Sequence, residues 1–314
     1  MARLQTLFFL GKGGTGKSTA SALLSLVLME KGKKVLLASF DDAHNQSDIF
    51  EADFSDKACS IGPCLEVLQI DRDKEIKQYL KKTAQSVKNS YAYLTAFNLD
   101  NYFDILKFSP GMEEYALVTA FMNLQTRYRE YDYLIIDMPP TALSLRFFNL
   151  PALSLTWVDQ LEKLRMEIYK RKEIISRIKF AGKEFERDKI LSRIREIKSD
   201  YQTLKDVFED SQKSNLFVVF NQDVLSVAET RRILEQLNSL NIKIKGLICN
   251  NRMQEEPKEK NIENKFSSIP IQHIPYSSSS LIGMSALKHH IFSYNLTFDE
   301  VFKSHSLSVP PRRK

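Results

Sequence analysis

The stretch GKGGTGKSTA, residues 11–20, follows the apolar run LFFL and is followed in turn by SALLSLVLMEKG. A strand, a glycine loop and a helix in that order predict a cradle for phosphate. The spacing GxxxxGK[ST] is met by Gly11, Gly16, Lys17 and Ser18. Four of the chain's ten glycines fall in this one loop, Gly11, Gly13, Gly14 and Gly16, so backbone N–H groups can converge on an anion with no side chain in the way. Lys17 supplies charge to the β- and γ-phosphates, the Ser18 hydroxyl suits Mg²⁺, and the helix that follows turns its positive end toward the anion. Residues 11–19, with Thr15 and Thr19 included, are therefore the expected nucleotide cradle. The loop carries a second lysine, Lys12, which phosphate binding alone does not require.

Outward from the loop, short apolar runs alternate with segments of helical period: TLFFL, VLLASF, LEVLQI, YDYLIID, NLFVVF, IKGLICN and PIQHI, with AETRRILEQLNSL between two of them. This alternation predicts an α/β fold, a P-loop NTPase with a mainly parallel sheet and helices on both faces. Nucleotide then binds at the carboxyl ends of the strands. One region breaks the rhythm. Between Asp159 and Gln212 there is no strand signal, and Leu161, Leu164, Ile168, Ile175 and Ile178, then Leu191, Ile194, Ile197, Tyr201, Leu204 and Phe208, recur at steps of three and four. Two amphipathic helices are expected there, with Gly182 a plausible turn between them. The organisation expected is one domain over 1–314 with a helical hairpin inserted at 159–212. Its apolar stripe either packs on the core or on the other arm, or offers a surface to a protein partner.

Composition bounds the rest. At 314 residues, with 43% hydrophobic and 27% charged, the chain has globular character and a length that buries about 75% of its unfolded surface. The apolar runs, such as LLSLVLM at 23–29, fall short of the ~20 residues a spanning helix needs. Met1 through Arg3 lead directly into LFFL with no room for a cleavable secretion signal, so the cytoplasm is the expected location. Cys59, Cys64 and Cys249 lack CxxC spacing; they are expected as small buried hydrophobes, and no zinc is expected. A net charge of +6 permits contact with anionic lipid, hence peripheral membrane association, while nucleic acid is not an expected partner.

With Lys12 counted, the loop reads KGGTGKS and resembles the deviant-Walker group of ATPases, which includes the nitrogenase iron protein, the MinD and ParA positioning proteins and the arsenite-pump ATPase ArsA. The resemblance implies a homodimer in which Lys12 reaches the nucleotide of the partner subunit. Phosphoryl transfer spreads negative charge over several oxygens, and a cation delivered from a twin would couple hydrolysis to dimer closure. VLLASFDDAHNQSDIF, residues 35–50, resembles switch I of the ArsA and tail-anchored-protein-targeting ATPases, written DPAHxxSDxF, through Asp41, Ala43, His44, Ser47, Asp48 and Phe50; Asp42 stands where proline is usual. By that resemblance Asp41 orients the attacking water, although DD before AHN also suits an ordinary turn or cap.

YDYLIIDMPPTALSLRFFNLP, residues 131–151, resembles the family's switch II, DTAPTGHTLR, with Asp137 implied as a carboxylate that holds Mg²⁺ through water. Ala142 and Leu143 stand where glycine and histidine are usual. NQDVLSVAETRRILEQL, residues 221–237, resembles the family's SxxET stretch; GLICNN places Asn250 where the family reads adenine, or as a structural cap; and IPYSSSSLIGMSAL places Pro275 in the last nucleotide-contacting loop. The resemblance implies ATP and Mg²⁺ as cofactors and runs from about residue 4 to 295. The zinc-binding CxxC of the eukaryotic targeting ATPases is missing from RMQEEPKEKNIENK. A hairpin rich in Lys, Arg and Glu suits an amphipathic or acidic partner better than a greasy one. PPTAL also resembles the PPxL of ParA proteins, so a positioning ATPase that binds membrane or DNA is the alternative, as is a nucleotide-gated binder of negligible turnover.

Overall fold

The structure, a computed structural model, describes residues 4–90, 109, 111–179, 188–252, 266 and 268–302. Eight strands form one sheet: β1 Gln5–Leu10, β2 Val35–Ser39, β3 Cys59–Gly62, β4 Leu65–Gln69, β5 Tyr133–Asp137, β6 Ser214–Asn221, β7 Ile244–Arg252 and β8 Ile271–Pro275. Their order across the sheet is β3-β4-β2-β5-β1-β6-β7-β8, and every neighbouring pair is parallel except β3 with β4. The fold is α/β with a mainly parallel sheet, as the alternation of apolar and helical segments predicts. The seven apolar runs each became a strand. The eighth, β3, is a partly solvent-exposed edge strand with no apolar run, and its antiparallel pairing needs only a tight turn rather than a crossover helix.

β1 shows why such strands read as unbroken apolar runs: both its faces are covered. Phe8 and Leu10 point into one layer, with Leu36, Phe121, Phe147, Phe148 and Phe208, while Leu7 and Phe9 point into the other, with Leu23, Leu26 and Val219. The second layer is built on α1, Lys17–Glu30, which is buried nearly all round and so carries little amphipathic period. α2, Asn45–Phe50, packs beside it. On the opposite face lie α3, Arg72–Ser90, and α4, Met112–Arg127. Cys249 is buried, but Cys64 is only partly covered and Cys59 is exposed, which corrects the expectation of three buried thiols. Cys59 opens the edge strand β3 and faces solvent there.

The region after β5 is helical from Thr141 onward. α5 runs without interruption over Thr141–Lys179, with Pro151 inside it, so its first turns belong to the segment that follows Asp137 and not to a hairpin that begins at Asp159. α6, Lys189–Glu209, returns alongside. Gly182, expected as the turn, lies outside the described residues. Asp188 joins the two helices: its carboxylate accepts from the Ile190 and Leu191 amides at 3.0 and 3.1 Å as an N-cap, and from Arg165 of α5 at 2.9 and 3.1 Å. Arg195 and Lys198 of α6 both hold Glu162. The remaining helices among the described residues are α7, Val224–Ser239, α8, Met284–Ser293, and the short α9, Asp299–Phe302. No helix among the described residues is long and apolar enough to cross a membrane.

The carboxyl end of α6 is anchored by Phe208, 2% exposed, whose ring lies 5.0 Å from Phe148, 5.3 Å from Phe147 and 6.0 Å from Phe8. Truncation of a buried aromatic in such a cluster costs about 3–5 kcal/mol. Phe208→Ala should lower unfolding free energy by that amount in a urea titration of the whole protein. A loss under about 1 kcal/mol would mean that α6 contributes little to the core.

Candidate functional site

Register assembles the site. Phe9 of β1 and Ser39 of β2 both pair with Asp137 of β5, so the chain segments that leave these three strands emerge side by side. They are the glycine loop, the segment that carries Asp41, and the start of α5. The loop is closed by backbone geometry that only glycine tolerates. Gly11 has φ +148°, and a Cβ there would sit 2.2 Å from the Val219 carbonyl oxygen; Gly16 has φ +86°, and a Cβ there would sit 2.1 Å from Asn250 Nδ2. Thr15 Oγ1 donates to the Lys12 carbonyl at 2.8 Å and tightens the turn.

The two lysines have opposite surroundings. Lys17 is 5% exposed, and its ammonium points at the Lys12 carbonyl oxygen at 3.5 Å. Burial holds its pKa below the usual lysine value, while the charges of Asp137 and Asp41 work to raise it. Lys12 is exposed at the tip of the loop. Ser18 and Thr19 sit in the first turn of α1, Ser18 at 8% exposure.

Asp137 is fully buried, and burial pushes its pKa up to about 6 against the hydrogen bonds of Ser18 and Gln46 and the charge of Lys17, which favour the carboxylate. Gln46, in α2, donates from Nε2 to Asp137 Oδ2 at 3.0 Å, and the same nitrogen lies 3.1 Å from both the Ser18 carbonyl and Ser21 Oγ. Asp137 Oδ1 and Gln46 Oε1 are buried acceptors with no donor among the described residues. Buried acceptors are satisfied with few exceptions, so this pair asks for water or a hydrated cation. A carboxylate, a hydroxyl and unfilled acceptor oxygens fit Mg²⁺, which takes oxygen ligands and keeps several waters.

Asp41 stands just past β2. Its carbonyl accepts from Gln69 Nε2 at 3.0 Å and Ser39 Oγ at 3.3 Å, and its carboxylate accepts from the Ala43 amide at 3.3 Å. Asp42, the residue that replaces proline, pairs with Arg72 of α3, which also reaches Glu113 of α4 at 3.2 Å. Asn250 is 7% exposed in β7, and its Nδ2 donates to the Thr15 carbonyl at 3.0 Å. Its amide is thus partly committed to the loop itself. Pro275 closes β8, one strand further out. The structure therefore gathers the loop residues, Lys17, Ser18, Asp41 and Asp137 around one point, with Lys12 outside it and Asn250 beneath the loop. Gln46 was invisible to sequence reasoning, since DDAHNQSD looks uniformly polar; only the packing of α2 on α1 buries it.

Residues 4–295 match the anion-transporting ATPase family. The chain belongs to this family. As a member it is an ATPase. It is 30% identical over 301 residues to a putative arsenical pump-driving ATPase 2 of Aquifex aeolicus, which covers 91% of this chain and 97% of that protein. It is 26% identical over 301 residues to an ATPase GET3 of Phaeosphaeria nodorum, over 92% of this chain and 90% of that protein, and 23% identical to an ATPase ASNA1 homolog of Cryptosporidium parvum, over 93% and 78%. Ala142 and Leu143, which stand where the switch II pattern has glycine and histidine, both lie in the first turn of α5. Ala142 favours helix, and Leu143, 8% exposed, packs into the core in place of a polar histidine.

A carboxyl group with a pKa raised by folding favours the folded state most at low pH, and that contribution is lost as pH rises through about 6. Without nucleotide or metal, Asp137→Asn should therefore gain stability relative to the unaltered protein between pH 5 and pH 7.5. Thermal unfolding in EDTA at the two pH values checks it; a constant difference would mean that the carboxylate is compensated.

Proposed function

We propose that the ATPase acts as a homodimeric, Mg²⁺-dependent switch in the cytoplasm that couples ATP binding and hydrolysis to a protein partner held on its helical layer. The observation that carries the dimer is the contrast between the two loop lysines: Lys17 is buried and faces Asp41 and Asp137, whereas Lys12 is exposed and free to meet a nucleotide held by a second copy. In this reading the amides of residues 11–19 cradle the phosphates, and Lys17 neutralises charge on the β- and γ-phosphates. Ser18 and Asp137 hold Mg²⁺, the latter through water. Asp41 orients the attacking water. Asn250 supports the loop from below and, with Pro275, bounds the base. Mg²⁺ held there would offset the negative charge of the phosphates as a Lewis acid.

The partner surface is the outer face of α5 and the hairpin region 159–212. Leu153, Trp157, Leu161, Leu164 and Ile168 are each 37–66% exposed, at steps of four, four, three and four, which sets them in one stripe. Large apolar side chains left open in a row mark an interaction site. Beside them Lys163, Lys170 and Arg171 are exposed with Glu167, a border that suits an amphipathic helix with acidic flanks. Leu153 also lines a cavity of about 950 Å³ walled by Ile76, Met112, Glu114, Arg146 and Leu150 of α3, α4 and α5.

Lys12→Ala should cut the ATPase rate at least about a hundredfold, as removal of a charge-stabilising cation does, while nucleotide binding changes little. The specific rate of the unaltered enzyme should rise with protein concentration. Equal turnover in Lys12→Ala would end the dimer reading. For the surface, Asp41→Asn protein should retain partners from a lysate, and Leu161→Glu added to it should release them at unchanged ATP affinity; retention despite Leu161→Glu would move the site elsewhere.

A further inference from the structure

Three buried residues fasten the six-residue helix α2 to the domain: Ile49, Phe50 and Gln46. Two are apolar. Gln46 is 0% exposed, and a buried amide is costly unless its hydrogens find acceptors. Three acceptors lie within reach of its two hydrogens: the Ser18 carbonyl and Ser21 Oγ of α1 at 3.1 Å, and Asp137 Oδ2 of β5 at 3.0 Å. One NH₂ group thus joins the segment that carries Asp41, the helix that opens the phosphate loop, and the buried carboxylate. The carboxyl end of α2 is closed by the left-handed Glu51, φ 52°, with the Ala52 N–H donating to the Ser47 carbonyl at 3.1 Å, but the amino end, at the left-handed His44, φ 53°, has no side-chain cap, so the end nearer Asp41 gains most from Gln46. The Asp42 pair with Arg72 is 46% exposed on the Asp42 side and contributes little by comparison.

We propose that Gln46 is a positioning residue that locks residues 41–50 onto the Asp137 carboxylate, so that occupation of the metal site and the placement of Asp41 are set together. The inference rests on the reading of Asp137 as part of the Mg²⁺ shell. By occupying Oδ2, Gln46 leaves Oδ1 as the oxygen open to the hydrated metal, and its own Oε1 remains an acceptor for a water of that shell. A change at the metal is then felt by α2 directly. Since the link is a hydrogen bond to a charged group, its loss should cost roughly tenfold to a hundredfold in whatever it couples.

Gln46→Met keeps the side-chain volume and removes the donor. In the full-length protein, the Mg²⁺ concentration for half-maximal binding of a non-hydrolysable fluorescent ATP analogue should rise at least about tenfold, with affinity in EDTA unchanged within about twofold. Hydrogen exchange should show amides 41–50 protected further by Mg²⁺ with analogue in the unaltered protein, and that gain lost in the variant. A merely structural role for Gln46 would lower the melting temperature without moving the Mg²⁺ requirement. An unchanged Mg²⁺ requirement and unchanged protection of 41–50 overturn the proposal. If Gln46→Met does not fold, the isosteric Gln46→Glu, which has no amide donor, should speed metal-free exchange of 45–50; unchanged exchange overturns the lock. Should the unaltered protein bind analogue equally with and without Mg²⁺, the reading of Asp137 fails, and metal-free exchange in Gln46→Met still decides whether Gln46 holds the segment.

Discussion

A single buried carboxylate organises this domain. Asp137 ends the central strand β5 between β1 and β2, in register with Phe9 and Ser39, so three different chain segments converge on its oxygens. Isolated in the core such a charge would be untenable; here Gln46, Ser18 and Lys17 favour it, and burial still pushes its pKa up to about 6. The fold therefore spends stability to keep an acceptor at the end of a strand buried on both sides in the sheet. That is the signature of a functional site, where the polar group is retained because something else completes its coordination.

The parallel order of the sheet follows from the same constraint. Each strand that feeds the site is covered on both faces and must return through a helix, which is why β1, β2, β5 and β6 read as continuous apolar runs that the eye finds without a structure. β3 escaped because it pairs antiparallel at the edge, where Cys59 and Ser60 face solvent and no apolar pattern is required. α5 starts well before the hairpin expected at 159–212, for a related reason. The residues after Pro140 resemble a switch loop, yet Phe147, Phe148 and Leu150 fill the aromatic core and Ser144 caps back to the Pro139 carbonyl at 2.6 Å, so tertiary packing made a helix of the whole stretch.

The phosphate loop was legible residue by residue, because the glycines answer a steric demand that leaves its mark in composition. Gly16 shows how far this reaches: its missing side chain makes room for Asn250, a residue 234 positions away that the sequence suggests only as an adenine reader or a cap. Gln46 left no such mark. A glutamine in a polar segment looks like any solvated residue, and its burial depends on where α2 lies against α1, which no local pattern records. Residues whose chemistry acts through the backbone are thus visible early, and residues whose chemistry depends on a tertiary neighbour become visible only in the fold.

The continuity of α5 has a mechanical consequence. A helix that starts four residues after Asp137 and continues through Ile168 carries the conformation of its first turn over about 40 Å, at 1.5 Å per residue, to the exposed apolar stripe. Ala142 and Leu143 strengthen that first turn, the one by helix propensity and the other by burial, so the segment beside Asp137 is part of the helix and not a loop. Pro151 is the interior weak point, since it cannot donate to the carbonyl one turn back. Residues before it, Phe147 and Phe148, are fixed in the aromatic core with Phe208 of α6; residues after it, from Leu153 on, line the open face. A tilt about Pro151 would move the stripe while the core stays packed, and the ion pairs of Arg165, Glu162 and Lys198 would carry α6 along with it.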